Sequence, residues 1–176
     1  MEKQPVNEGL FDKNLQKRLV TLSNLVEENP RKIENGGINL HVHTNESFSI
    51  FRSPTEAVWY AYQEGVEYFG INDHDTTAGH EEFRLACDIA HIKAVFSIEV
   101  KALDSDALKK GIRINDPINP GRVYLIGKGI TRGLEPGSKS DAIFRSIKQA
   151  NQKRNRKIVE KLNSYATEKG YSLNLN

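Results

Sequence analysis

Leu15, Leu19, Leu22 and Val26 recur at intervals of three and four residues, separated mostly by polar positions. That period predicts an amphipathic helix over 15–26, ended by Asn29-Pro30. Its expected place is outside the main fold, with partner binding as the alternative role. Ile38 to Val42 reads as a short strand. Ser53-Pro54-Thr55-Glu56 then has the form of a helix start: Ser as N-cap, Pro at the first position and Glu closing a capping box. Ala57, Val58, Ala61 and Tyr62 give this helix an apolar face, and Gly65 ends it. Glu67 to Ile71 is the next predicted strand. Glu81 to Ala90 is helical, with Phe83, Ala86, Cys87 and Ala90 on one side, and Ala94 to Val100 is a strand.

The order strand, helix, strand, helix, strand predicts an α/β fold built from parallel β/α units. Residues 104–122 read as a polar insertion, with Asp116-Pro117 and Asn119-Pro120-Gly121 as turn signals. Arg122 to Ile130 is a further strand. Residues 138–169 form a long helical stretch with one expected break near Gln149. Ile143, Ile147 and Ala150 supply its first apolar stripe; Ile158, Leu162 and Tyr165 supply the second. Gly170 is the expected C-cap, and Tyr171 to Asn176 the start of another strand. The pattern divides into a helical extension, 1–35, and a main domain, 36–176.

Composition narrows the class. A chain of 176 residues, 38% apolar, is enough for one ordinary domain. The net charge of +2 implies no broad polyanion-binding surface and no duplex nucleic acid partner. A single cysteine, Cys87, excludes an internal disulfide framework and a Cys-rich zinc site. It lies on the apolar side of its helix and reads as a buried hydrophobe. No apolar run approaches the ~20 residues of a membrane helix. The first residues lack the apolar core of a secretory signal, so a cytoplasmic protein is expected. Gly127-Lys128-Gly129 is too short for a phosphate loop.

The chemistry gathers at the predicted strand ends. His41 and His43, Asp73 and His74, and Glu99 each fall near the C-terminal end of a different strand, where β/α folds collect function. In a strand, residues i and i+2 point to the same side, so His-X-His aims two imidazoles at one point. Neutral imidazole suits Zn, Mn and Fe alike. An Asp-His pair can add a third imidazole and a carboxylate that orients it. A Glu can bridge two cations, the usual device for phosphate ester hydrolysis.

HVHT with the following Ser47, GINDHDTTAG and SIEV, in that order and spacing, resemble the first motifs of the PHP (polymerase and histidinol phosphatase) superfamily. The resemblance covers 38 to about 130 and, loosely, the helix after it, which is similar to a helical insertion in the branch that cleaves nucleotide or oligonucleotide phosphates. It implies a distorted β/α barrel, of which this chain supplies an N-terminal, incomplete part. It implies two or more divalent ions (Zn, Mn or Fe) in the complete domain, held by His41, His43, His74 and Glu99. Asp73 is implied as the support of His74, and Asp73, His74 and Glu99 as catalytic. Asp75 and His80 lie where the family positions substrate phosphate, and Arg154 or Arg156 is expected to clamp an anionic substrate.

The implied activity is phosphate ester hydrolysis by metal-activated hydroxide, on a nucleotide, an oligonucleotide or a small phosphomonoester. The alternative is a non-catalytic metal- or nucleotide-binding module. That alternative rests on departures from the pattern. Asn39 replaces an Asp, Phe48 stands where a ligand often follows the Ser, and Tyr124 stands where another His is usual. No His follows His91, which itself reads as structural. An open sheet edge would be covered by self-association or by the helices.

Overall fold

In the computed structural model, the described residues are 7–31, 36–131 and 133–172. The chain divides into two compact units, residues 1–133 and 134–176. The first contains a 3-10 turn (Glu8–Phe11), α1 (Leu15–Glu28), β1 (Gly37–Val42), α2 (Pro54–Gln63), β2 (Val66–Ile71), α3 (His80–Ile89), β3 (Lys93–Leu103), α4 (Ser105–Lys109) and β4 (Arg122–Lys128). The second contains α5 (Lys139–Glu168).

The four strands form one curled sheet in the order β1-β2-β3-β4, part of a barrel. β1, β2 and β3 run parallel, joined by α2 and α3 as the alternating pattern predicts. β4 departs from it and runs antiparallel to β3. The reason lies in the connection. A parallel return needs a crossover, usually a full helix, but α4 has five residues and the segment folds back on itself. Asp104 N–H donates to Gly121 O (2.8 Å), and Gly121 N–H donates to Ile112 O (2.8 Å). Gly121 has φ +73, and a Cβ there would lie 2.6 Å from Asp104 O, so only glycine fits. The closed loop sets Arg122 opposite Leu103 and starts the hairpin.

The core lies between the sheet and α1–α3. Phe83, Ala86 and Cys87 of α3 are fully buried, as are Val58, Ile71 and Leu22. Each large side chain among them contributes about 1.5–3 kcal/mol by leaving water. α1 is part of this core rather than outside it: Leu19 and Leu22 pack with Leu10. Glu82 of α3 ties three helices together, accepting from the Arg18 guanidinium of α1 (Nε, 2.8 Å) and from Thr55 Oγ1 of α2 (2.7 Å). Ser53 caps α2 as expected, its Oγ accepting the Glu56 N–H at 2.9 Å, while Glu56 turns back to the Arg52 N–H.

α5 runs unbroken for 30 residues, without the expected interruption near Gln149. Residues 145–157 contain no Gly or Pro, so nothing stops it. Ser138 caps its start, and Gly170, with φ 78, its end. Its apolar stripes do not form core: Ile143, Ile158, Leu162 and Tyr165 are 47–60% exposed. Tyr171 and Ser172 carry no regular structure, and 173–176 lie outside the described residues.

Candidate metal centre

β1 enters the site through a bulge. Asn39 pairs with Phe69 and Val42 with Ile71, so β1 has one residue more than β2 in this interval. Gly70 lies beside the bulge, and a Cβ there would sit 2.7 Å from Leu40 O. Only glycine lets the strands approach so closely. The Asn39 side chain accepts the His41 N–H at 3.1 Å, holding the backbone of the displaced residue. His41 and His43 then bring their Nε2 atoms to 3.2 Å from each other.

The opposite wall comes from β3. Glu99 is buried, and its Oε2 lies 3.1 Å from His41 Nε2 and 3.5 Å from His43 Nε2. Asn72, fully buried at the end of β2, donates to the same oxygen at 3.2 Å. Oε1 faces His74 Nδ1 at 4.0 Å. Backbone bonds fix this register: Glu99 N–H donates to Asp73 O (3.1 Å) and Asp75 N–H to Glu99 O (2.9 Å). His43 and His74 stack with centroids 4.5 Å apart. Burial, then the neighbouring His74, holds the His43 pKa below its usual value, against an opposing pull from Glu99. That favours the neutral, ligating form.

These donors fit a cation. Metal–ligand bonds of about 2.0–2.2 Å at tetrahedral angles place donor atoms about 3.3–3.6 Å apart. The three edges among His41 Nε2, His43 Nε2 and Glu99 Oε2 are 3.2, 3.1 and 3.5 Å. His41, His43 and Glu99 are a group able to hold one ion among the described residues. His74 stands beside them, its buried Nδ1 without a hydrogen-bond partner.

Asp73 is placed differently from its implied role. Its carboxylate accepts from Thr44 N–H (2.7 Å), Thr44 Oγ1 (2.6 Å) and Ser47 Oγ (2.6 Å). It therefore anchors the turn after His43 rather than the ring of His74. A buried carboxylate with three donors is satisfied where it stands. Asp75 follows in the left-handed region, φ 57. His80 opens α3 and its Nε2 meets Ser97 O at 3.1 Å, bracing β3; burial lowers its pKa. Arg154 belongs to the second unit, where its guanidinium meets Asn155 Oδ1 at 3.2 Å. Phe48 is 85% exposed, while the Tyr124 ring lies 5.9 Å from that of His74.

Two further residues hold the site together. Asn72 has a signal in the sequence, since an amide beside an Asp-His pair is a natural donor to a carboxylate on the next strand. Thr44 gave no separate signal, because its partner is 29 residues away.

Comparison with known proteins bears on the fold. A solved structure of a Bifidobacterium adolescentis protein, provisionally named a metal-dependent phosphoesterase, superposes with a TM-score of 0.58 and 23% identity over 76% of this chain and 40% of that one. An amidohydrolase from Chromobacterium violaceum, solved with sulfate and no metal, superposes at 0.56 and 23% identity over 73% of this chain and 39% of its own. The chain shares the fold of part of these metal-dependent hydrolase barrels. In sequence, a 5'-3' exoribonuclease of Haemophilus influenzae is 37% identical over 62 residues, 35% of this chain and 22% of that protein. The chain thus spans less than half the length of each of these proteins. No family model matches it. The four strands are an incomplete barrel, and the His41–His43–Glu99 group lies where the C-terminal end of β1 meets the middle of β3, with Glu99 bridged to His74 just past β2. No helix among the described residues is long and apolar enough to cross a membrane.

Proposed function

We propose that this chain belongs to a metal-dependent phosphoesterase acting on nucleotide or oligonucleotide phosphates. The observation that carries the reading is the convergence of His41, His43 and Glu99 at the donor spacing of one cation. The exoribonuclease activity named for the Haemophilus relative supports the substrate class. His41, His43 and Glu99 would hold a Zn, Mn or Fe ion, with His74 and the second oxygen of Glu99 directed toward another. Such ions supply Lewis acidity toward a phosphoryl oxygen and acidify water. The protein's own part is positioning. Asn72 fixes Glu99, and Asp73 fixes the turn that carries His43. No side-chain nucleophile is assigned, and Cys87 is excluded as one, since burial pushes its thiol far up. A cytoplasmic location goes with this reading.

The test is turnover of a nucleotide phosphate and of an oligonucleotide, with and without added Mn or Zn. Metal-dependent phosphate release, lost in the His41→Ala/His43→Ala variant, is the expected result. A second reading, a metal-binding module without turnover, is favoured by Tyr124 standing beside His74 and by the outward turn of Phe48. Tight metal binding with no phosphate release from any of these substrates would select it.

A further inference from the structure

The two units differ in charge. Nine of the 25 Lys and Arg but only four of the 23 Asp and Glu fall in residues 134–176, giving that unit +5 and the metal-centre unit −3. The excess is concentrated on α5, where Lys148, Lys153, Arg154, Arg156, Lys157 and Lys161 face a single acidic residue, Glu160, between them. All six are exposed. Among the described residues none of the six forms an ion pair with a carboxylate; the α5 pair that does form, Arg145–Asp141, lies a turn or more earlier. Lys153 and Lys157, and Lys157 and Lys161, stand four apart, where like charges oppose helix formation. A helix of 30 residues keeps this repulsion uncompensated within its own unit.

We infer that the side of α5 carrying Lys153, Arg156 and Lys157 binds the backbone of single-stranded RNA, a proposal that rests on the nucleotide-phosphate reading of the metal centre. The cations are interleaved with Gln149, Asn151, Gln152 and Asn155, whose amides can donate and accept toward phosphate, 2′-hydroxyl and base edges. Lys153, Arg156 and Lys157 share one side of the helix with Gln149, Gln152 and Glu160 and line one shallow groove, three cations to one carboxylate. Ile158 and Leu162 stand exposed on the same helix, so a lipid surface is the competing occupant, and the amides among the cations and the nucleotide reading of the metal centre favour RNA.

The test is fluorescence anisotropy of the full chain with a labelled oligouridine, in EDTA so that no metal-dependent cleavage intervenes. About four phosphate contacts on a single strand give a slope near −0.7 per contact, so affinity should fall about 50-fold between about 50 and 200 mM salt. The Lys153→Gln/Arg156→Gln/Lys157→Gln variant should bind at least tenfold more weakly at low salt, with a shallower slope and unchanged helical circular dichroism. No binding at low salt, or equal binding by the triple variant, would overturn the proposal. So would binding to phosphatidylglycerol vesicles with none to oligouridine. Failure of the metal reading looks different: oligouridine would still bind in EDTA, and no zinc would be retained on dialysis.

Discussion

α3 and α5 show the same kind of sequence signal and meet opposite fates. Each has apolar residues at helical spacing. In α3, Phe83, Ala86 and Cys87 are fully buried against the sheet and α2. In α5, Ile143, Ile158, Leu162 and Tyr165 stand about half exposed, and the buried residue of the helix is Ala166. Periodicity therefore specifies the element, and it does not specify what the apolar face meets. α3 lies between two parallel strands, and a βαβ crossover has only the sheet to pack on. α5 follows an antiparallel hairpin and has no following strand among the described residues to return it to the sheet.

The comparison can be broken by stability measurements. Phe83→Ala should cost about 3–5 kcal/mol, because it removes a fully buried ring and leaves a cavity. Ile158→Ala should cost within about 0.5 kcal/mol, as an exposed substitution does. Urea unfolding of both variants checks this, and similar losses would mean that α5 is packed as tightly as α3.

A second contrast lies within the metal centre, between donors and the residue that aims one of them. Glu99→Gln should lower zinc affinity by more than 100-fold, since it removes the charge shared by both imidazoles. Asn72→Ala should lower it about 10–100-fold, since Glu99 loses the amide that holds Oε2 in place. Competition with a chromophoric chelator reads both. Equal affinity for Asn72→Ala and the unaltered chain would show that Glu99 is held without the amide.

The smallest expected effect concerns pH and distinguishes His80 from the donors. Burial lowers its pKa from the ordinary 6.5. The unfolded chain then binds more protons than the folded chain between that lowered value and 6.5, so stability rises with pH through this window. It is lost as pH falls below 6.5. Metal-free protein should therefore unfold more easily on mild acidification, and His80→Gln should flatten the dependence. His43, shifted in the same direction, keeps part of it in place. An unchanged profile in the variant would remove His80 as a source.

Much of this architecture was legible beforehand, and the failures have physical causes. Local signals worked where the structure is local. Ser53 caps α2, Gly170 ends α5, and β1, β2 and β3 alternate with α2 and α3 in parallel. The direction of β4 was not legible, because it depends on Gly121 closing a loop onto Asp104. The place of Asp73 was not legible either. Adjacency to His74 suggested one partner, while the fold supplies Thr44 and Ser47 on another strand's turn. The bulge opposite Gly70 belongs to the same class: it shows only when the register of two strands is known. The meeting of His41, His43 and Glu99 was foreseeable because parallel β/α units set successive strands side by side at the same end of the sheet, although Glu99 lies inside β3 rather than at its end.

The most direct test of the metal centre is elemental analysis of the full chain after dialysis against zinc-containing and then metal-free buffer. The unaltered protein should retain at least one equivalent of zinc per chain, and the His41→Ala/His43→Ala variant none. No retained metal in the unaltered protein, or equal retention in the variant, would contradict the assignment of His41, His43 and Glu99 as a metal site.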